Sequence, residues 1–187
     1  KIICPGNKNA LNLFFLNIIG IFMETKEIKT RVKVCSLEEL GEEDRRLVEK
    51  AKEMTRASYA PYSRFHVGAA ILLANGEIVG GANQENAAFS SGTCGERSAC
   101  FYAAARYPGV AFRKIAVAAW TRLRRPASAS DADCFQESPI SPCGACRQAL
   151  LEYENAHGPI EVILYGAGKT YVLPSVASLL PLCFTEF

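Results

Sequence analysis

"VGAAILLANGEIVGGA", residues 67–82, is two apolar runs set around Asn75-Gly76. Asn-Gly tolerates the positive φ angles of a tight hairpin turn, so the stretch reads as strand, turn, strand. Upstream, "EEDRRLVEKAKEMTRAS" from Glu42 carries Leu47, Val48, Ala51 and Met54 at helical spacing. That helix should stop before "YAPYS", because Pro61 disfavours helix at Ala60. "SLEE" (Ser36 to Glu39) has the form of a capping box ahead of it. Downstream, "NQENAAFSSGT" is a loop, and "CGERSACFYAAARY" from Cys94 is an alanine-rich helix ended by Pro108-Gly109. "KIAVAAW" reads as a buried strand, Thr121 to Pro142 as a long loop, and "CGACRQALLEYE" as another helix with Leu150, Leu151 and Tyr153 on its apolar side. "IEVILY" and "TYVL" are further strands, and Ser175 to Leu180 a short helix. A hairpin followed by alternating helices and strands implies an α/β domain with a mixed sheet covered by helices.

The 187 residues suit one domain, large enough to bury a core without disulfides. The formal charge of +2 argues against a nucleic-acid or membrane-surface binder, which needs a concentrated basic face. The densest basic run, "RLRRP" at Arg122 to Pro126, reads as a solvated loop. Eight cysteines would suit a secreted, disulfide-bonded protein, but no signal sequence supports that reading. "ALNLFFLNIIGIFM", residues 10–23, is too short to span a bilayer, is interrupted by Asn12 and Asn17, and lacks a small-residue cleavage site. The expected setting is cytoplasmic, with reduced thiols and no membrane or nucleic-acid partner. Residues 1–35 are expected to be an N-terminal extension and 36–187 the folded domain. Within the extension, residues 1–22 are expected to be non-native, with Met23 as the ordinary start; the rival reading is a genuine apolar arm that packs on a partner subunit.

"GAGKT" (Gly166 to Thr170) resembles the end of a phosphate-binding loop. The glycine required five residues before Gly168 is absent, Ile163 standing there, and a strand follows instead of a helix. A polar hairpin turn is the better reading.

The chemistry concentrates in the cysteines. Cys94 and Cys143 each open a helix, and Cys146 lies one turn beyond Cys143 on the same side. Helix starts offer unpaired N–H groups and a positive dipole end, which lower a thiol's pKa. If the two starts meet, three thiolates converge, and zinc suits such soft ligands. Three protein ligands leave a position open, as in catalytic sites; a closed structural site needs four. Neither His66 nor His157 has ligand spacing. Cys134 is the candidate fourth ligand, against the plainer reading of a free loop thiol. Cys100, six residues past Cys94, should point away. Glu96 stands two residues past Cys94, where it can reach the space before the metal and carry protons as a general acid–base; the plain alternative is helix-dipole compensation. Arg97 and Arg147 lie where either could hydrogen-bond the sulfurs and offset their charge, or simply face solvent.

Five blocks in order, "APYSRFHVGAA", "GGANQENAAFS", "CGERSA", "SPCGACRQ" and "LLPLCF", resemble the cytidine deaminase family over about Leu47 to Phe184. The resemblance implies a three-layer α/β/α fold around a mixed five-stranded sheet. It implies zinc-dependent hydrolytic deamination of cytidine and deoxycytidine, a pyrimidine-salvage reaction, with Cys94, Cys143 and Cys146 as zinc ligands. Water activated at the zinc would attack C4, and Glu96 would protonate N3 and then the departing amine. Asn83 and Glu85 match positions that bind the ribose hydroxyls, and Phe65 the aromatic residue stacked on the base. The Gly95 N–H and the Ser141 carbonyl would read the base edge. The short form resembles homotetramers, to whose neighbouring sites Tyr62 and Phe184 would contribute. The family usually has alanine at Gly95, a departure expected to change flexibility more than chemistry. Rival readings are deamination of a modified nucleoside, free base or nucleotide, a structural zinc module closed by Cys134, and a redox Cys-x-x-Cys protein.

Overall fold

The computed structural model describes residues 24–121, 123 and 134–185. The apolar stretch 10–23 and most of the basic loop lie outside the described residues. The elements in chain order are β1 (Lys33–Cys35), α1 (Glu42–Met54), β2 (His66–Leu73), β3 (Ile78–Ala82), α2 (Gly95–Arg106), β4 (Phe112–Trp120), α3 (Gly144–His157), β5 (Glu161–Tyr165) and β6 (Thr170–Leu173). Short 3₁₀ turns occupy Thr55–Ala57, Phe89–Ser91 and Ala177–Leu179.

The sheet order is β1-β6-β5-β4-β2-β3. β4 and β5 run parallel, joined through α3 as a crossover, and every other pair is antiparallel. The β2–β3 hairpin turns where expected, with Gly76 at φ 85 and the Leu73 N–H bonded to the Glu77 carbonyl. β2 is buried along both faces, which explains its unbroken apolar run. Val67, Ala69, Ile71 and Leu73 face the α2–α3 side, whereas Ala70 and Leu72 pack with Leu47, Val48 and Ala51 of α1. Burying a leucine or isoleucine side chain contributes about 1.5–3 kcal/mol, so the two apolar clusters fix the three layers.

Two expectations change. The sheet has six strands, not five. The sixth, "KVC", pairs antiparallel with β6 and comes from the segment set before the domain. Three residues, one of them lysine, are too few to show a period. The Ser36–Glu39 capping box forms its side-chain half, Glu39 Oε2 accepting from the Ser36 N–H at 2.7 Å. It closes only a turn, and α1 begins after Gly41. "GAGKT" is the turn between β5 and β6, its Ala167 and Gly168 N–H groups bonded to the Gln136 and Glu137 carbonyls.

Candidate active site

Cys94 and Cys143 are the N-caps of α2 and α3, both with extended backbone (φ −77, ψ 156 and φ −67, ψ 166). Neither side chain caps its own helix, so both thiols are left to face one another. The Cys94 and Cys143 sulfurs are 3.8 Å apart, and those of Cys143 and Cys146 3.5 Å apart. All three lie within 4.8 Å of one another. Tetrahedral zinc with bonds of about 2.3 Å would hold its sulfurs about 3.8 Å apart, so the cluster fits such an ion. A hydrogen bond from Cys146 and the charge of Arg97 bring the Cys94 thiol down to about 5, while its bond to Cys94 and burial push the Cys146 thiol up. The Arg97 guanidinium is held above its ordinary range first by Cys94. Its charge lies beside Cys94 and Cys146, so it favours the ionised form of these sulfurs, while its Nε is buried with no hydrogen-bond partner among the described residues. The residues therefore suit a thiolate-bound divalent metal.

Glu96 is 4% exposed, and burial raises its carboxyl pKa above the usual range. It lines a cleft of about 830 Å³ together with Cys94, Arg97 and Cys143. Phe65, Asn83 and Glu85 form a further stretch of the cleft wall with the exposed Tyr62, and Ser141 lines it two residues before Cys143. Arg64 sets this wall. At φ 54 it occupies the left-handed region, rare for a side-chain-bearing residue. Its carbonyl accepts from the Thr121 hydroxyl at 2.8 Å, so both sides of the kink before Phe65 are held.

Asn83 is already committed to the fold. Its Oδ1 accepts from the Val67 N–H (2.8 Å) and the Ser58 hydroxyl (2.5 Å), and its Nδ2 donates to the Phe65 carbonyl (2.9 Å). One Nδ2 hydrogen remains to be donated. Glu85 Oε2 accepts from the Tyr62 and Ser63 N–H groups, and hydrogen bonding, foremost with Ser63, lowers its pKa. Ser58 escaped sequence reading because its bond to Asn83 spans 25 residues.

Gly95 sits beneath the cleft, where a Cβ would come 2.9 Å from the Val67 carbonyl and 3.3 Å from the Asn83 nitrogen. Close packing of α2 on β2 and β3, and not only flexibility, is what a glycine there supplies. Arg147 does not turn to the sulfurs. Its Nε and Nη1 donate to the Pro142 and Leu179 carbonyls, both at 2.7 Å, and its Nη2 to the Ser141 hydroxyl at 2.9 Å. Phe184 lies outside the cleft lining on the C-terminal segment, its carbonyl accepting from Gln148. Cys134 is fully buried and not among the clustered thiols, so a fourth-ligand role has no support. Cys100 is buried in the core on the far side of α2, and burial pushes its thiol up to about 12.

Comparison with known proteins agrees with this geometry. The sequence pattern of the cytidine and deoxycytidylate deaminase zinc-binding region matches residues 41–159. A cytidine deaminase of Sporosarcina psychrophila is 38% identical over 142 residues, covering 75% of this chain and 90% of that protein. A probable cytidine deaminase of Dictyostelium discoideum is 32% identical over 146 residues, covering 78% and 86%. The crystal structure of cytidine deaminase from Burkholderia pseudomallei superimposes with a TM-score of 0.60 at 38% identity, covering 74% of this chain and 97% of that one. The chain, with its three-thiol cluster beside a buried glutamate, belongs to the cytidine deaminase family of hydrolytic deaminases.

Proposed function

We propose that the protein catalyses zinc-dependent hydrolytic deamination of cytidine and deoxycytidine to uridine and deoxyuridine, releasing ammonia in pyrimidine salvage. The observation that carries this is the buried Glu96 beside three clustered thiols, in a cleft whose lining also presents an aromatic ring, an amide and a carboxylate. Cys94, Cys143 and Cys146 would hold a zinc ion, which when bound supplies a Lewis acid that makes water nucleophilic near neutral pH. Glu96 takes one proton from the attacking water and delivers it to N3 of the base, then takes the second proton from the oxygen now bonded to C4 and passes it to the amine nitrogen as the C4–N bond breaks. Its raised pKa suits a group that must hold and release a proton in turn. Arg97 offsets the thiolate charge.

Asn83 and Glu85 select the sugar. Asn83 can only donate to a ribose hydroxyl, since both lone pairs of its Oδ1 are taken. The Glu85 carboxylate can only accept. A hydroxyl between them must accept from one and donate to the other, which a phosphate or ether oxygen cannot do. Phe65 stacks on the base, while the Gly95 N–H and Ser141 carbonyl read its edge. The partner is thus a small nucleoside, not nucleic acid. Tyr62 and Phe184, 61% and 60% exposed, and Phe89, 96% exposed, are large apolar groups that a homotetramer would cover, bringing Tyr62 and Phe184 to neighbouring sites. A thiol-dependent site suits a reducing, cytoplasmic setting.

The test follows cytidine by absorbance loss and ammonia release, in wild type and Glu96→Ala. The mutant should keep its zinc and lose turnover. Unchanged turnover in Glu96→Ala would remove the assigned proton carrier. A wild type inert on both nucleosides but active on another aminopyrimidine would remove the substrate.

A further inference from the structure

The C-terminal segment lies along α3 and is held by that helix at three levels. Glu154, buried, accepts from the Val176 N–H (2.7 Å) through Oε2 and from the Ala177 N–H (2.9 Å) through Oε1. Arg147 donates to the Leu179 carbonyl, and Gln148 Nε2 donates to the Phe184 carbonyl at 2.8 Å. Only Arg147 also grips the cleft. The same guanidinium that holds Leu179 holds the Pro142 carbonyl and the Ser141 hydroxyl. Pro142 is buried, and Ser141 and Cys143 both line the cleft. A planar guanidinium with its donors in a fixed fork cannot move one acceptor without moving the others. Rotation of the Ser141–Pro142 peptide would swing the Ser141 carbonyl, and Arg147 restrains that rotation from both sides through the hydroxyl of one residue and the carbonyl of the next.

We propose that Arg147 is a positioning residue that sets the Ser141–Pro142 wall of the cleft by tying it to the C-terminal segment at Leu179. The proposal rests on the nucleoside deaminase reading, in which the Ser141 carbonyl reads the base edge. The two neighbours of the sulfur cluster then divide the work: Arg97 balances charge, and Arg147 fixes geometry. The position of Leu179 is thereby felt at the base-reading wall of its own subunit, separately from any contribution of Phe184 to a neighbouring site.

The test uses the zinc-loaded full chain. Arg147→Ala should raise KM for cytidine about tenfold or more, change kcat less, and leave the zinc content unchanged. Arg147→Lys keeps the charge but cannot span three acceptors, so it should recover only part of the loss. Truncation after Ser178 removes the Leu179 acceptor together with Phe184, whereas truncation after Leu182 removes Phe184 alone; the first should raise KM beyond the second, and Arg147→Ala should add little to the first. Unchanged KM in Arg147→Ala, full recovery by lysine, or effects that multiply in the chain truncated after Ser178 would each overturn the proposal. Hydrogen exchange separates this from failure of the substrate reading. Even for a wild type inert on cytidine, residues 139–143 and 176–184 should both exchange faster in Arg147→Ala and in Arg147→Lys, and exchange unchanged at 139–143 overturns the tether.

Discussion

The starts of α2 and α3 are near copies in composition and differ in use. Each opens on a cysteine N-cap followed by glycine, "CGER" and "CGACR", and each places an arginine within a turn. At α2 that arginine stays beside the sulfurs with its Nε unpartnered among the described residues. At α3 it is spent on two backbone carbonyls and a hydroxyl. The difference is one helical position. Arg97 stands at the third residue of its helix, the place that Cys146 fills in α3, so it shares the thiols' face; Arg147 follows one residue later and is rotated by about 100°. Two like residues beside one cluster therefore differ in partners: Arg97 lies beside Cys94, and Arg147 bonds two main-chain carbonyls and a hydroxyl.

The strongest way to break the comparison is to remove one ligand from each helix. Cys94→Ala and Cys146→Ala should both lose bound metal on desalting and lose turnover. Metal analysis showing full retention in either would mean that one helix start suffices. Next comes the arginine at α2. Arg97→Ala should keep the metal and lower kcat by about 10- to 100-fold. In chelator-treated protein the Cys94 thiol, held down to about 5, stays ionised and open to alkylation well below neutral pH. Losing Arg97 should move the midpoint of the alkylation profile upward, since a depressed thiol pKa rises when a cation leaves. Arg147→Ala should leave that midpoint in place, and an equal shift in both variants would erase the distinction. The smallest effect concerns the far end of α3. Glu154 also accepts from the Ile160 N–H at 2.9 Å, so Glu154→Gln should lower unfolding free energy by about 1.5–3 kcal/mol in urea titration. An unchanged midpoint would show that α3 holds the C-terminal segment by other means.

The parts of the molecule written in local pattern were readable. The hairpin at Asn75-Gly76, the helices after Gly41, Cys94 and Cys143, and the shared side of Cys143 and Cys146 all follow from spacing within one or two turns, whereas Cys94 joins them across 49 residues, only because the two helix starts meet. What escaped depends on partners far along the chain. Whether Arg147 meets a sulfur or a carbonyl is decided by Leu179, 32 residues away. The saturation of Asn83 depends on Ser58, and the sixth strand on β6 lying open to receive three residues. The Ser36–Glu39 pair shows the converse, a local signature that formed its bond without starting a helix. The close fit at Gly95 became visible only once β2 and α2 were side by side.

That short first strand has a further consequence. β6 would otherwise end the sheet with a row of unsatisfied backbone groups, and such a row recruits strands from other molecules. "KVC" occupies it, and the Thr30 hydroxyl just upstream anchors the covering segment to the Ser178 carbonyl at 2.9 Å. Residues 30–35 thus cover β6 and leave at this end of the sheet a strand of three residues, too short to offer a long pairing template, in a part of the fold that stands apart from the chemistry of the cleft.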